Sequence, residues 1–508
     1  MAVKRAELSG LDEERKRELL RRLRTGELSD VDLKNLGVAR DAPPKWSAES
    51  LRRTGVVLGP DGTPTGVRGS ALKSYRDMVD WAGQHKEKFG EDSINLSPSE
   101  NVVSDETVRA ATEYANRYFF SEPLEVGGMS VKPRGMDYMG RILELTEKTA
   151  LRMFSADEVE LGVVSGHLAD MAVLMKFLNP GDKVLCVDPA FGGYGGFAKD
   201  NLPRTLGIKE DDVLYTVHNP ETGEFDLEAT LGLIDQHKPK LIILGSSVEL
   251  FPYPTAAVRS HIKQNNIMTA QGETPVIVYD VSHTMGLMFG SYPNPLVEGA
   301  DVIIGGTSKT LPAASSGVMA STRNWNKDVS CKISPLHIAD NTQNRQNLIL
   351  GLTLLEMMAF GREYGRQVVS NSQALAKALD SRGMPVRFRG WGYTMTHQIL
   401  FDVGNGEGQI PPERFSLFTD LCEPAGINHD GSGRMGTQEL TRRGMKEDDM
   451  RTISGLMLRV YEISGLDVPD ERKRVMAAGI KPEVKKFRSM FTGVTYSFDR
   501  IMQDVEGG

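Results

Sequence analysis

Short apolar runs alternate with segments of helical spacing between about residues 91 and 330. Most of the runs are apolar on both faces, which is typical of a mainly parallel sheet covered by helices on both sides. The runs predicted as strands are 159–164, 184–187, 241–244, 276–279 and 302–304. Segments of helical spacing precede the first two runs, at 141–153 and 168–177. We therefore predict a large α/β domain that binds its ligand at the carboxyl ends of the strands.

The pattern changes on either side of this domain. Residues 1–90 are predicted to be an N-terminal extension, in which a charged helical segment at 11–24 precedes a turn-rich stretch at 55–69. Residues 331–470 are predicted to form a small C-terminal α+β domain, followed by a tail over 471–508. The elements expected in the small domain are a helix from 348 to 366 and beyond, strands near 386 and at 399–403, and a helix at 448–463.

Composition excludes several classes of function. A chain of 508 residues is expected to hold more than one domain, and its net charge of −8 gives no footing for nucleic acid or an anionic membrane. Its cysteines, Cys186, Cys331 and Cys422, form neither a metal-ligand pattern nor a disulfide framework. No apolar run approaches bilayer length, and the N-terminus lacks the apolar core of a signal peptide. We therefore expect a soluble cytoplasmic protein that binds no metal.

One lysine, Lys309, follows the last predicted strand after a stretch of small and hydroxylated residues. The preceding strand delivers Asp280 and then His283. A lysine that forms a Schiff base needs a site shielded from water, and an aspartate facing a pyridinium nitrogen makes pyridoxal phosphate (PLP) an electron sink. The pair indicates a PLP enzyme that makes or breaks bonds at the α-carbon of an amino acid. A surface lysine and a helix-capping aspartate are the less specific interpretations.

A second motif lies between an apolar run and the helix that follows it. Ser165, Gly166 and His167 place a glycine at a helix N-terminus, where free backbone amides suit the phosphate of a cofactor. A glycine turn alone is weak evidence, but the position before the helix and the lysine downstream strengthen it. Thr307 and Ser308 could add hydroxyl donors.

Several phrases between residues 94 and 453 occur in the order and spacing of one known family. They are 95–104, 116–118, 164–166, 179–185, 237–243, 280–283, 292–295, 308–311 and 434–444. Each phrase is weak evidence by itself, but together they are specific. The chain resembles the serine hydroxymethyltransferases, which are PLP enzymes of fold type I. The resemblance implies the aspartate aminotransferase-like architecture and an obligate homodimer with shared active sites.

The resemblance also implies roles around the cofactor. Lys309 would carry PLP, and Asp280 would keep the pyridine nitrogen protonated, since an opposite charge stabilises the cation. His283 would lie under the cofactor ring, near its phenolic oxygen and the substrate carboxylate. Phe191 matches the place where the family stacks an imidazole on the ring, an ordinary core aromatic being the alternative. Ser247 is also expected among the cofactor-binding residues.

On the substrate side, Arg434 matches the arginine that holds the carboxylate of the amino acid through two hydrogen bonds, as guanidinium geometry favours. A structural ion pair is the alternative for this arginine. Ser99 and Tyr118 match residues that contact the substrate and, from the neighbouring subunit, the cofactor phosphate.

The departures from the family fall mainly where folate binds. Phe120 stands in place of a glutamate that works with folate, and Glu122 and Glu125 are out of register. Pro133 aligns with an expected tyrosine, and the loop 426–433 is shorter than the folate-seating segment of the family. Smaller departures are Ser308, where many relatives carry histidine, 313–316, where an arginine is replaced, and 341–342, which match a glycine pair loosely. The cofactor and carboxylate contacts are thus retained, while those to the one-carbon carrier are not.

These features predict a PLP-dependent enzyme of the aldol type that acts on β-hydroxy-α-amino acids such as L-threonine or L-serine. Cleavage would release an aldehyde and leave a glycyl quinonoid, which is protonated or transferred to a second aldehyde, as in a transaldolase. We expect the reaction to be independent of folate. One alternative is a hydroxymethyltransferase that acts on glycine with folate or on an α-substituted amino acid. Another is a catalytically silent partner protein with the same fold.

Overall fold

The computed structural model describes residues 57–58, 64–114, 124–126, 129–131, 135, 137–322, 343–499 and 501–502. It divides the chain into two compact units, Met1–Glu91 and Asp92–Gly508. In the first unit, the described residues form a short antiparallel pair of strands and a 20-residue helix that continues into one π-helical segment. These elements are β1 (Val57–Leu58), β2 (Pro64–Thr65), α1 (Gly66–His85) and the π-helix Lys86–Glu91.

A seven-stranded sheet in the order β6-β12-β11-β10-β9-β7-β8 forms the centre of the second unit. The strands β8, β7, β9, β10 and β11 run parallel, while β12 pairs antiparallel with β11 and β6. The strands of this sheet are β6 (Glu158–Glu160), β7 (Val184–Cys186), β8 (Val213–Tyr215), β9 (Leu241–Leu244), β10 (Val276–Asp280), β11 (Val302–Gly306) and β12 (Gly317–Ser321). The predicted mainly parallel α/β sheet is confirmed. The predicted strand at 159–164 is shorter and antiparallel.

Alternate residues of the central strands enter different cores. Ile277, Tyr279 and Ile303 belong to one apolar cluster, while Val278 and Ile304 belong to another on the opposite face. Successive side chains of a strand point to opposite faces, so a strand that is apolar at every position buries both. This two-sided burial explains the continuous apolar runs.

Helices cover the sheet on both faces. They are α2 (Asp105–Tyr114), α3 (Asp137–Phe154), α4 (Gly166–Phe177), α5 (Leu202–Thr205), α6 (Leu227–His237), α7 (Thr255–Gln264) and α8 (Pro295–Glu298). Helix α4 lies against β11 and β12. Its N-terminus therefore lies at the edge of the sheet where the chain leaves β11.

A long helix, α9 (Asn344–Asp380), joins this sheet region to a second core. Leu354 and Met357 pack into the sheet cluster, while Leu375 and Leu379 pack into a separate C-terminal cluster. The remaining helices are α10 (Pro412–Ala425), α11 (Gln438–Arg442), α12 (Glu447–Ser464), α13 (Asp470–Ala478) and α14 (Lys481–Arg488). The helix that the sequence predicts from residue 348 thus begins four residues earlier and spans both cores.

Short strands complete the second core. They are β3 (Ile94–Asn95), β13 (Gln398–Leu400), β14 (Ile427–Asn428) and β15 (Arg434–Gly436), with a separate hairpin of β4 (Leu124–Val126) and β5 (Met129–Val131). Strand β3 pairs parallel with β14, and β13 pairs antiparallel with β15. Residues from the start of this unit therefore pack with its C-terminal part. Within the described residues, no helix combines the length and the hydropathy needed to cross a bilayer.

Candidate active site

Two neighbouring parallel strands end at the centre of the site. Asp280 is the last residue of β10 and is paired in register with Ile304 of β11, and Lys309 follows the end of β11 by three residues. The carboxyl ends of parallel strands meet at one edge of a sheet, so these two side chains come from the same edge. The structure therefore brings together the pair that the sequence singled out.

Lys309 is held in a partly buried position with a perturbed amine. Burial lowers the pKa of the amine, and the guanidinium of Arg434 lowers it further, while Asp280 acts in the opposite direction. The backbone is fixed as well, because Asn101 Nδ2 donates to the carbonyl oxygen of Lys309 at 2.6 Å and lies 2.9 Å from the hydroxyl of Tyr364. A larger neutral fraction of the amine favours nucleophilic attack on a carbonyl.

A second carboxyl lies close to Asp280, and the sequence did not reveal it. Asp170 on α4 is 3% exposed, and its Oδ1 has no hydrogen-bond partner among the described residues. Its pKa lies well above the ordinary value because of burial first and the charge of Asp280 second, while Lys309 acts against both. Asp280 is also buried, and its Oδ1 accepts a hydrogen bond from Ser282 N at 2.8 Å. Two buried acidic groups thus interact electrostatically with the lysine.

The predicted anion site is at the N-terminus of α4. Ser165 caps the helix by accepting a hydrogen bond from Leu168 N at 3.2 Å. A Cβ on Gly166 would come within 2.8 Å of the backbone nitrogen of Gly306, so this close approach requires glycine. Thr307 is buried, donates to Ala314 O and accepts from Ser316 N, so its hydroxyl is used within the loop.

Arg434, the first residue of β15, reaches several groups at once. Its Nε donates to Asp430 Oδ2 at 2.8 Å, one terminal nitrogen donates to Ser247 O, and the other lies 3.4 Å from Ser99 Oγ. The first terminal nitrogen also lies 3.4 Å from His283 Nε2. The structure therefore assembles Ser99, Ser247, His283 and Arg434, with Ser247 contributing its carbonyl oxygen. The cofactor contact of Ser247 stays a prediction.

His283 is buried between residues of the second core. Its Nδ1 lies 2.8 Å from Gln398 Nε2, and its ring stacks on that of His397, with centroids 5.4 Å apart. Burial holds the pKa of His283 well below its ordinary value, and Lys309, His397 and Arg434 lower it further. The imidazole is therefore neutral near neutral pH.

Two aromatic residues in the segment after β7, Phe191 and Tyr194, contact different histidines. The ring of Phe191 stacks on His218, with centroids 4.8 Å apart and planes within 8°. Tyr194 places its hydroxyl 2.9 Å from His167 Nδ1. Burial raises the pKa of Tyr194 to about 12, with further contributions from Asp170 and Asp280. Tyr194 thus belongs to the site, and the glycine pair before it was the available signal. The stacking role of Phe191 stays a prediction.

Several residues that the family resemblance singled out lie outside the described residues. These are Tyr118, Phe120, Glu122, Pro133 and 341–342. The short loop 426–433 is described, and two of its side chains accept hydrogen bonds from backbone nitrogens of the same loop. His429 Nδ1 accepts from Gly431 N at 3.0 Å, and Asp430 Oδ1 accepts from Ser432 N at 3.0 Å.

A third buried carboxyl lies on the opposite face of β10. Glu249 is 1% exposed and accepts hydrogen bonds from the hydroxyls of Tyr279 and Tyr292. Burial raises its pKa to about 8, although both tyrosines act against the shift. The carboxyl therefore remains protonated in the folded protein over a pH range in which an exposed glutamate is ionised.

Replacing Glu249 with glutamine is expected to change how stability depends on pH. Between the ordinary pKa of 4.5 and the folded value of about 8, the unfolded wild type releases a proton that the folded protein keeps. Wild-type stability therefore falls as pH rises through this window. Glu249→Gln should remove that fall and gain roughly 1–4 kcal/mol over wild type near pH 8 relative to pH 5. Thermal unfolding of both proteins, with the surface variant Glu221→Gln as control, measures the difference. Equal pH dependence in all three would contradict the prediction.

The described residues fit PLP. A lysine of lowered pKa, a buried aspartate at the end of the neighbouring strand and a helix N-terminus approached through glycine lie at one edge of a mainly parallel sheet. Lys309 would hold the cofactor carbonyl, Asp280 its pyridine nitrogen, and the start of α4 its phosphate. This fold and site define a fold-type I PLP-dependent enzyme.

Comparison with known proteins agrees with this class. The family model described as serine hydroxymethyltransferase matches residues 73–457, and the chain belongs to that family. A serine hydroxymethyltransferase of Sulfolobus acidocaldarius is 32% identical, over 81% of this chain and 91% of its own length. The enzyme of that name from Aeropyrum pernix is 32% identical, over 80% and 90%.

A solved structure is similar as well. The L-threonine transaldolase from Pseudomonas fluorescens, in its internal aldimine state, matches with a TM-score of 0.71 and 25% sequence identity. The match covers 86% of this chain and 99% of that one. The chain is therefore a PLP-dependent enzyme that acts on amino acids.

Proposed function

We propose that this enzyme acts on β-hydroxy-α-amino acids, L-threonine above all, and breaks or forms the bond between the α- and β-carbons. The observation that carries the proposal is the pairing of a complete carboxylate and cofactor site with an altered folate side. Lys309, Asp280, His283 and Arg434 come together at one sheet edge, while Phe120 replaces the carboxylate that the family uses with folate.

Arg434 and Ser99 offer donors for the carboxylate of an amino acid, and His283 closes the same side. Lys309 presents an amine of lowered pKa that can attach a cofactor carbonyl covalently. Asp280 places a buried carboxyl at the strand end, where it can pair with a pyridine nitrogen and hold it protonated. When bound, PLP supplies an electron sink for the charge released at the α-carbon. Because these donors hold the carboxylate in one place, they also fix the orientation of the bond between the α- and β-carbons.

Two features support folate independence. Phenylalanine at position 120 can neither donate nor accept a proton, whereas one-carbon transfer to folate needs a group that does. The loop 426–433 is shorter than the folate-seating segment of the family, and its Asp430 is paired with Arg434 at 2.8 Å. A leaving acetaldehyde needs no carrier. The likeness to the Pseudomonas fluorescens L-threonine transaldolase supports transfer of the glycyl unit to a second aldehyde.

A second candidate is a serine hydroxymethyltransferase reaction, either on glycine with folate or on an α-substituted amino acid. The family match over residues 73–457 and the names of the relatives favour it. For either reaction we propose a homodimer with shared sites, in which the partner's Tyr118 reaches the cofactor phosphate, as the family resemblance implies.

We expect L-threonine to be cleaved without tetrahydrofolate, with glycine and acetaldehyde as products. An added acceptor aldehyde should divert the glycyl unit into a new β-hydroxy amino acid. The assay follows α-proton exchange and aldehyde release from L-threonine and L-serine, with and without tetrahydrofolate. The Lys309→Ala variant serves as the control for cleavage without the enzyme. If L-serine turnover requires the folate and L-threonine is inert, the hydroxymethyltransferase candidate is correct and the transaldolase proposal is wrong.

A further inference from the structure

Gln398, the first residue of β13, has a fully buried side chain that touches three groups. Its Oε1 lies 2.9 Å from Glu249 N, and its Nε2 lies 3.0 Å from Ser247 O and 2.8 Å from His283 Nδ1. The amide thus joins the loop after β9 to the histidine beside the catalytic lysine.

The partners of Gln398 fix the orientation of its amide. The backbone nitrogen of Glu249 can only donate, and the carbonyl of Ser247 can only accept, so Oε1 faces the former and Nε2 the latter. The second hydrogen on Nε2 then points at Nδ1 of His283. That ring nitrogen must accept, which places the single proton of a neutral imidazole on Nε2.

Two other contacts of the ring bear on this assignment. His397 Nε2 lies 3.3 Å from His283 Nδ1 and 3.2 Å from the carbonyl oxygen of Pro98, which can only accept, so His397 Nε2 carries a hydrogen and His283 Nδ1 can accept. The contact with Arg434 competes. A terminal nitrogen of Arg434 lies 3.4 Å from His283 Nε2, and a guanidinium can only donate. A neutral imidazole has one accepting nitrogen, so it cannot accept from both sides. The contact with Gln398, at 2.8 Å, is shorter than the contact with Arg434, at 3.4 Å. The same arginine nitrogen also donates to Ser247 O. The hydrogen bond from Gln398 therefore prevails.

With the proton on Nε2, His283 and Arg434 present two donors to the same place. Two donor nitrogens 3.4 Å apart can both donate to an oxygen anion that lies to one side of them. We propose that Gln398 is a positioning residue that sets the tautomer of His283, which makes Nε2–H a second donor to the α-carboxylate of the amino acid. This inference rests on the proposed function for the identity of the anion, but the tautomer itself does not.

The tautomer is measured first, in full-length holoenzyme labelled with ¹⁵N-histidine. The His283→Asn variant identifies the signal of this ring. Wild type should show a protonated Nε2 and an unprotonated Nδ1 between about pH 7 and pH 9, where even an exposed histidine has lost its second proton for the most part. In Gln398→Glu, a carboxylate oxygen faces Nδ1, so the proton should move to Nδ1. A wild-type ring protonated on Nδ1, or a tautomer unchanged by Gln398→Glu, would overturn the inference.

Amino-acid binding tests the consequence. The probe is glycine, followed through the change in cofactor absorption. Gln398→Glu should weaken its affinity about tenfold near pH 9, because the donor on Nε2 is lost. Affinity should recover as pH falls, because the new carboxylate raises the pKa of His283 and the imidazolium carries hydrogen on both nitrogens. Lys309, His397 and Arg434 also face this ring and are unchanged in the variant.

Two further variants complete the design. Gln398→Met keeps the volume without a donor, so it should weaken glycine binding at every pH without the recovery. Gln367→Glu makes the same chemical change on α9, where Lys446 Nζ donates to the amide oxygen at 3.0 Å, and should leave affinity unaltered. Normal binding with an unchanged pH profile in both Gln398 variants would refute the carboxylate role. If wild type binds neither glycine nor L-threonine, the proposed function fails, while the tautomer result still decides the role of Gln398.

Discussion

Replacing Lys309 with alanine is expected to abolish turnover and to remove the visible absorption band that borohydride reduces. The lysine follows the carboxyl end of β11 and interacts electrostatically with Asp280 at the end of β10, and burial lowers its pKa. Alanine leaves no nucleophile to attach the cofactor, so the effect should reach the limit of detection. Absorption spectra before and after borohydride, together with turnover of L-threonine, measure both losses.

The matched control is Lys148→Ala. Lys148 lies on the exposed surface of α3, in an ion pair with Glu144, where a single substitution has little effect on stability. This variant should keep both the band and the activity. Full multiple-turnover activity in Lys309→Ala would show that another group carries the cofactor.

Replacing Arg434 with lysine is expected to weaken amino-acid binding by roughly 1–3 kcal/mol, while the PLP content stays near that of wild type. The guanidinium contacts Asp430, Ser247 and Ser99 from three different nitrogens. An ammonium keeps the charge but cannot hold these partners and a carboxylate in the same geometry. Equilibrium titration with glycine or L-threonine, followed through cofactor absorption, gives the change in affinity.

Arg459→Lys is the control for this substitution. Arg459 lies on α12, and its exposed side chain forms an ion pair with Glu483. This variant should bind amino acids as wild type does. If Arg434→Lys binds amino acids normally but loses cofactor, then Arg434 belongs to a structural ion pair with Asp430 and the carboxylate role is wrong.

The sequence by itself determined the sheet and the strand ends that carry the candidate site. Runs that are apolar at every position predict buried parallel strands, and β9, β10 and β11 form from such runs. Asp280 ends β10, and Lys309 follows the end of β11. Polar residues that come directly after a buried strand lie at the edge of the sheet, which is why the sequence pattern could predict their place. The helix boundaries were close as well, since the segment predicted at 448–463 is the helix Glu447–Ser464. These features are local, so a pattern of a few residues suffices to predict them.

The tertiary structure alone decided which polar groups share a buried environment. Gln398 lies 115 residues from His283 in sequence, yet its amide orientation follows from contacts with both that ring and the loop after β9. Asp170 and Tyr194 look like an ordinary helix residue and a loop aromatic until packing places them in the field of Asp280. A pKa or a tautomer depends on desolvation and on charges brought from distant segments. No local pattern contains that information, because it exists only once the two cores have packed around α9.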